Sequence, residues 1–236
     1  MINKTKIIAT IGPSTSSKEM LRKIIQRGVN VCRINFSHVS HSEAKEIIDN
    51  IKEVNKQINT HTAILADLQG PKIRVGNFEK PIKLKKGSYI YFNTTQKQPN
   101  DIFISYSNFA KDVKKGDRVL LDDGKLSLLV ENSNGKNRVK LKVVFGGLLK
   151  SNKGVNLPNT DISLPCLTKK DKIDLNFILE QKIEWIGLSF VRSAEDVKKL
   201  KTIIKRHKKS QALVIAKIEK PEAINDIEKI ILASDA

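Results

Sequence analysis

Arg33, Asn35 and Ser37 follow one another at intervals of two. On an extended strand that spacing puts a guanidinium, an amide and a hydroxyl on one face, with Cys32, Ile34 and Phe36 on the other. Three polar groups in a row suit the ligand-binding end of a parallel strand better than a core, although a polar strand end that caps the next helix has the same pattern. Lys217 and Glu219 repeat the spacing, flanked by Val214, Ile215, Ala216 and Ile218. A carboxylate there can hold a divalent ion and an ammonium can neutralise charge developing on a phosphoryl group. An isolated surface ion pair is the bland alternative, and the apolar flanks, which predict a strand buried on both faces, weigh against it. Cys32 falls on an apolar face and is expected to pack as a small hydrophobe, while Cys166 suggests no role.

Two charged connections accompany these strands. Asp67-Leu68-Gln69-Gly70-Pro71-Lys72-Ile73-Arg74 follows an apolar run, and Asn152-Lys153-Gly154-Val155-Asn156-Leu157-Pro158 precedes another. Cations at two hinges suggest a lid that closes on a polyphosphate, against a plainer reading as solvated linkers.

The elements that must position these groups are legible as alternating strands and helices. Strands are predicted over 6–12, 29–36 and 62–68. A capping box at Ser16 and Glu19 opens the first helix, Leu21, Ile24 and Ile25 give its apolar face, and Gly28 ends it. Ile47, Ile51, Val54 and Ile58 mark the next helix. From Lys72 the rhythm changes to short alternating runs, with Val139, Leu141 and Val143 opposite Lys140 and Lys142, and turns at Asp122-Asp123-Gly124 and Asn134-Gly135. Residues 72–161 therefore read as a small β domain inserted into an α/β one formed by residues 1–71 and 162–236. Strands over 185–191 and 212–219 follow, with helices opened by a Thr168 capping box, by Ala194 and by Pro221. Outside the insert there is chain for about five βα units at roughly 30 residues each, against the eight of a closed (β/α)₈ barrel.

The chain has 236 residues and a formal net charge of +18, with 39% hydrophobic and 29% charged residues. That is the composition of a folded soluble domain and excludes collagen, disorder and a membrane span. The charge suggests a polyanion binder. Against it, only 8 of the 43 basic residues are Arg and aromatics are 5%, whereas nucleic-acid readers lean on guanidinium forks and stacking rings. Two cysteines and no signal-like start point to a reducing cytosol.

The segments TKIIATIGPS, VCRINFSH, DLQGPKIR, VLLDDG, NKGVNLP, SLPCLTKKDK, WIGLSFVR and VIAKIEKPEAI, in this order across the whole chain, resemble the pyruvate kinase family. The resemblance implies a partial (β/α)₈ TIM barrel with an all-β barrel domain inserted after the third strand, and transfer of phosphoryl from phosphoenolpyruvate to ADP to give pyruvate and ATP. It implies that Arg33 grips the phosphate, that Lys217 stabilises the phosphoryl in flight and that Glu219 is one ligand of Mg²⁺ or Mn²⁺. Asn35, His38, Arg74 and Lys153 fall at positions associated with the nucleotide. Asn35, Ser37, Asp67 and the Leu68 carbonyl fall at those of a monovalent cation.

Two departures qualify the likeness. Potassium-dependent members read D-T-K-G-P-E-I-R-T after the aspartate position; here Lys72 replaces the glutamate, so a tethered ammonium is expected to make added K⁺ unnecessary. The chain also stops before the segment R-G-D-L-G, which carries the second metal carboxylate, and before the domain that builds the family's homotetramer. Alone it is expected to lack turnover and to aggregate through an open sheet edge. Two rival readings are an aldolase or lyase of the phosphoenolpyruvate/pyruvate superfamily, which would lack the insert, and a non-catalytic polyanion-binding fragment.

Overall fold

The computed structural model describes residues 4–95, 99–158, 160, 162–207 and 211–236; Met1, Ile2 and Asn3 of the opening segment and the expected insert boundary at 161 lie outside the described residues. The chain divides into two compact units, Met1–Pro71 with Pro165–Ala236, and Lys72–Leu164.

The first unit begins with β1 (Ile8–Thr10), α1 (Lys18–Gln26), β2 (Val31–Asn35), α2 (His41–Gln57) and β3 (Ala63–Asp67). The first helix is capped by Ser17, whose hydroxyl accepts from the Met20 amide, and not by the expected Ser16. Either serine has the same hydroxyl, so the phase that buries Leu21 and Ile25 decides which one caps. A capping box of Ser40 and Glu43 opens α2, which buries Ile47, Ile51 and Val54.

The second unit contains β4 (Ile82–Leu84), β5 (Tyr89–Asn93), β6 (Ile102–Phe103), α3 (Phe109–Asp112), β7 (Arg118–Leu121), β8 (Leu126–Ser133), β9 (Arg138–Phe145), β10 (Gly147–Leu149) and β11 (Val155–Asn156). Its strands form a six-stranded sheet, β11-β7-β8-β9-β5-β6, and a β10-β4 pair. Val139, Leu141 and Val143 face a core that includes Phe92, Phe109 and Val130. α3 is one helical turn inside a unit expected to be all-β.

The chain then returns to the first unit with α4 (Lys169–Glu180), β12 (Trp185–Leu188), α5 (Ala194–Arg206), β13 (Leu213–Ala216), α6 (Glu222–Asn225) and α7 (Ile227–Ala233). Thr168 and Asp171 form the capping box of α4. The sheet order is β1-β2-β3-β12-β13, every pair parallel. Cys32, Ile34, Phe36, Ile64, Ile186 and Val214 pack under the helices in one core with Ile48, Ile51 and Leu200, each large side chain stabilising by about 1.5–3 kcal/mol when buried.

β13 differs from expectation in two ways. It stops at Ala216, so Lys217 and Glu219 lie past its end, and it is not buried on both faces: Leu213 is 42% exposed and Ile215 only half-buried, whereas Val214 is buried. Only the face carrying Val214 meets the helices; nothing comparable covers the other among the described residues. The expected open edge is partly closed, because the Ala216 amide donates to the Ala236 carbonyl at 2.9 Å and the Asp235 amide to the Val214 carbonyl at 3.0 Å. Among the described residues no helix is long and apolar enough to cross a membrane. Cys32 and Cys166 are both free thiols and buried.

Candidate active site

Parallel pairing brings the C-terminal ends of the strands to one side of the sheet, as it does for the ligand sites of open and closed α/β sheets. Asn35 pairs with Asp67, and Asp67 with Gly187. Asp67 becomes the centre of the cluster, with its side chain only 3% exposed. Arg33 donates to Asp67 Oδ2 from Nε at 2.8 Å and from Nη2 at 2.5 Å. Its remaining Nη1 donates to Thr10 Oγ1 at 2.8 Å, Thr10 being the register partner of Arg33 on β1. Lys217 Nζ, 150 residues away in the chain, lies 3.1 Å from Asp67 Oδ1 and 3.3 Å from Oδ2.

A cation on β2 and another just past the end of β13 are thus fixed on one buried carboxylate, each with 29% of its side chain still exposed. Their flexibility is already spent in the free protein, and their exposed remainder faces solvent as positive charge suited to a phosphate. A close approach makes this possible: a Cβ on Gly187 would come within 3.1 Å of Asp67 Oδ1.

Glu219 stands beside the pair. Its Oε1 is 3.2 Å from Lys217 Nζ, its Oε2 accepts from the Phe190 amide at 3.0 Å, and its side chain is 35% exposed. The Phe190 amide is aimed by a left-handed backbone, φ 56°, which is strained for a non-glycine residue. Gly70, at φ +68°, passes so close that a Cβ there would meet the Phe190 ring at 2.7 Å. Lys217, Glu219 and the guanidinium of Arg33 are therefore neighbours.

Ser189 was given no role by sequence reasoning and sits in the middle of the cluster. It accepts from Lys217 Nζ at 2.9 Å and donates to the Leu68 carbonyl at 2.7 Å, while its own carbonyl accepts from Cys166 Sγ at 3.2 Å. Its signal was its place one residue past an apolar parallel strand. Thr10 is the last residue of β1.

The remaining expected groups divide between the units. Asn35 and His38 line a cleft of about 490 Å³ with Thr10, Gly12, Glu43 and Asn50. In the second unit Arg74 Nη1 donates to the Asn152 carbonyl at 2.8 Å, and Lys153 Nζ lies 2.6 Å from Asp122 Oδ1. That lysine holds the Asp122 carboxyl below its usual range. The bridge between Arg74 and Gly154 makes Arg74 and Lys153 neighbours.

For cations the fit differs by site. Mg²⁺ binds through one or two protein carboxylates plus waters and substrate phosphates, and Glu219 supplies one exposed hard-oxygen ligand. No cluster of three or more His, Cys, Asp or Glu able to hold a metal is present among the described residues. At the monovalent-cation positions the donors are engaged within the protein: Asp67 by Arg33 and Lys217, the Leu68 carbonyl by Ser189, and Asn35 Oδ1 by the Ser37 amide at 3.0 Å. As arranged, they do not fit a free cation.

A family model described as the pyruvate kinase barrel domain matches residues 2–236. Pyruvate kinase 2 of Synechocystis sp. is 44% identical over 238 residues, covering 98% of this chain and 40% of the relative. The pyruvate kinases of Staphylococcus aureus and Clostridium perfringens are each 40% identical over 99% of this chain, which spans 40% and 50% of their lengths. The chain therefore spans about half or less of the curated relatives it matches. With its motifs in order from end to end, this chain belongs to the pyruvate kinase family.

Proposed function

We propose that the first unit is the N-terminal part of a pyruvate kinase (β/α)₈ barrel, that the second is its inserted lid domain, and that their shared work is phosphoryl transfer from phosphoenolpyruvate to ADP. One observation carries the reading: Arg33 and Lys217 are fixed on the same buried carboxylate, Asp67, with Glu219 3.2 Å from the lysine.

In this reading Arg33 and Lys217 receive the phosphate of phosphoenolpyruvate, and Asp67 holds both so that no side-chain ordering is needed when it arrives. Lys217 stays with the phosphoryl group as it transfers, where negative charge is spread over its oxygens. Glu219 would hold Mg²⁺, which when bound supplies neutralising charge to the phosphoryl oxygens. Asn35 and His38 take the nucleotide on the first unit, and Arg74 and Lys153 on the second. Lys72 replaces free K⁺ as the positive charge of the monovalent-cation position, in keeping with donors there that already have protein partners. The cytosol is the proposed setting, and a homotetramer the proposed assembly of the whole enzyme.

Because the chain spans only part of its relatives, ligand binding is the direct test. Phosphoenolpyruvate titrated with the chain and Mg²⁺ is expected to show a ³¹P resonance that shifts and saturates, equally in potassium and tetramethylammonium salts. A resonance that does not move contradicts the proposal; saturation only with K⁺ contradicts the role given to Lys72.

A further inference from the structure

The start of α4 reaches two loops of the candidate site that lie more than a hundred residues away in sequence. Lys170 Nζ donates to the Phe36 carbonyl at 2.7 Å, immediately after β2. Asp171 Oδ1 accepts from the Gly70 amide at 3.1 Å, in the exit from β3, while its Oδ2 closes the capping box with Thr168. One turn on, Asp174 is 4% exposed and shared: Oδ2 takes Lys170 at 2.5 Å and Oδ1 lies 2.8 Å from His41 Nε2 at the start of α2. The His41 ring stacks on Phe177 of α4, centroids 4.5 Å apart.

These contacts converge on the segment that carries Asn35, Ser37 and His38. Phe36 is anchored at both backbone ends, its amide donating to the Asp67 carbonyl at 3.0 Å and its carbonyl accepting from Lys170. The turn beyond it is closed by the Ser37 amide to Asn35 Oδ1 at 3.0 Å and the His38 amide to the Asn35 carbonyl at 3.1 Å. A loop held only by its own turn opens readily, and these outer partners restrain it.

We propose that Lys170, Asp171 and Asp174 form a positioning clamp. Through Phe36 and Gly70 it sets the loops after β2 and β3, and so the nucleotide groups Asn35 and His38, without touching a ligand. The consequence for the nucleotide rests on the function proposed above; the restraint of the loop does not.

The test uses amide hydrogen exchange on the 236-residue chain together with titrations of ADP and phosphoenolpyruvate. In Lys170→Met the Ser37 and His38 amides are expected to exchange about 10-fold faster, with β12 and the second unit unchanged and Lys170→Arg restoring protection. ADP affinity should fall about 10-fold while phosphoenolpyruvate affinity, which depends on Arg33 and Lys217, holds. Unchanged exchange at Ser37 and His38 overturns the clamp, as does faster exchange throughout the α/β unit or no rescue by arginine. Local loosening in a chain that binds neither ligand supports the clamp and overturns the proposed function instead.

Discussion

Asp67 in the α/β unit and Asp101 in the β-rich unit each have a side chain almost out of solvent and paired with an arginine, and the two arrangements differ in kind. In the β-rich unit Asp101 is paired with Arg138 through two parallel bonds, 2.9 and 3.0 Å, and accepts from Asn93 at 3.1 Å. That guanidinium also lies over the Tyr91 ring at 3.9 Å. One anion meets one cation, the face of the fork is covered by a ring, and the pair is a staple. In the α/β unit Asp67 meets two cations, Arg33 binding through a single carboxylate oxygen and Lys217 arriving from just past the end of β13. The first arrangement completes itself; in the second Asp67 orders two partly exposed cations, with Glu219 also on the lysine, and the proposed function has those cations receive a further anion.

The largest expected effects come from the aspartates themselves. The carboxylates are almost fully buried but Arg33 and Arg138 keep 29% and 38% of their side chains in solvent, so Asp67→Ala and Asp101→Ala should each destabilise measurably by chemical denaturation, by less than the about 3–5 kcal/mol of a fully buried pair. They should part in binding: Asp67→Ala abolishes phosphoenolpyruvate binding, whereas Asp101→Ala leaves it intact in the folded fraction. Loss of binding in both would erase the distinction. Next comes Arg33→Lys, which forfeits the guanidinium's geometry and should weaken phosphoenolpyruvate at least about 10-fold, while Arg138→Lys leaves affinity unchanged. Thr168→Ala should cost about 1 kcal/mol through the lost cap of α4, read as a lower thermal midpoint.

How far the sequence reveals this contrast depends on range. The two-residue alternation of Arg33, Asn35 and Ser37 is a local signal, and Cys32, Ile34 and Phe36 are buried behind it. The capping box at Thr168 is local too. The convergence on Asp67 is not: its partners lie 34 and 150 residues away, and no periodicity links them. Ser189, one residue past β12, and Thr10, the last residue of β1, are not legible because a single hydroxyl at a strand end has no pattern of its own. The end of β13 is hard to read because apolar residues continue to Ile218, whereas the strand stops at Ala216 and its last contact with β12 is the Lys217 amide on the Leu188 carbonyl at 3.1 Å. Ser16 and Ser17 were interchangeable in type, and only helix phase separates them.

The smallest effect concerns protonation. Burial pushes the Cys32 thiol up to about 11 and the Cys166 thiol up to about 12, with Asp196 adding to the second. In the β-rich unit burial, reinforced by Asp112, raises the Tyr106 hydroxyl to about 12. Unfolded thiols ionise near 9, so above that pH the native state holds more protons than the unfolded one. Stability from these thiols is full below pH 9 and lost as pH rises through 11–12. Both cysteines should resist iodoacetamide at pH 8 until denaturant is added; fast alkylation of the native chain would contradict their burial.

The central claim is that Lys217 and Arg33, fixed on Asp67, form a receptor for the phosphate of phosphoenolpyruvate. Calorimetric titration of phosphoenolpyruvate with Mg²⁺ into the wild-type chain and Lys217→Met, both checked for native circular dichroism, tests it most directly. Saturable binding that weakens about 100-fold or more in the variant is predicted, in line with the loss of a charge-assisted contact. Equal affinity in the two folded proteins would contradict it.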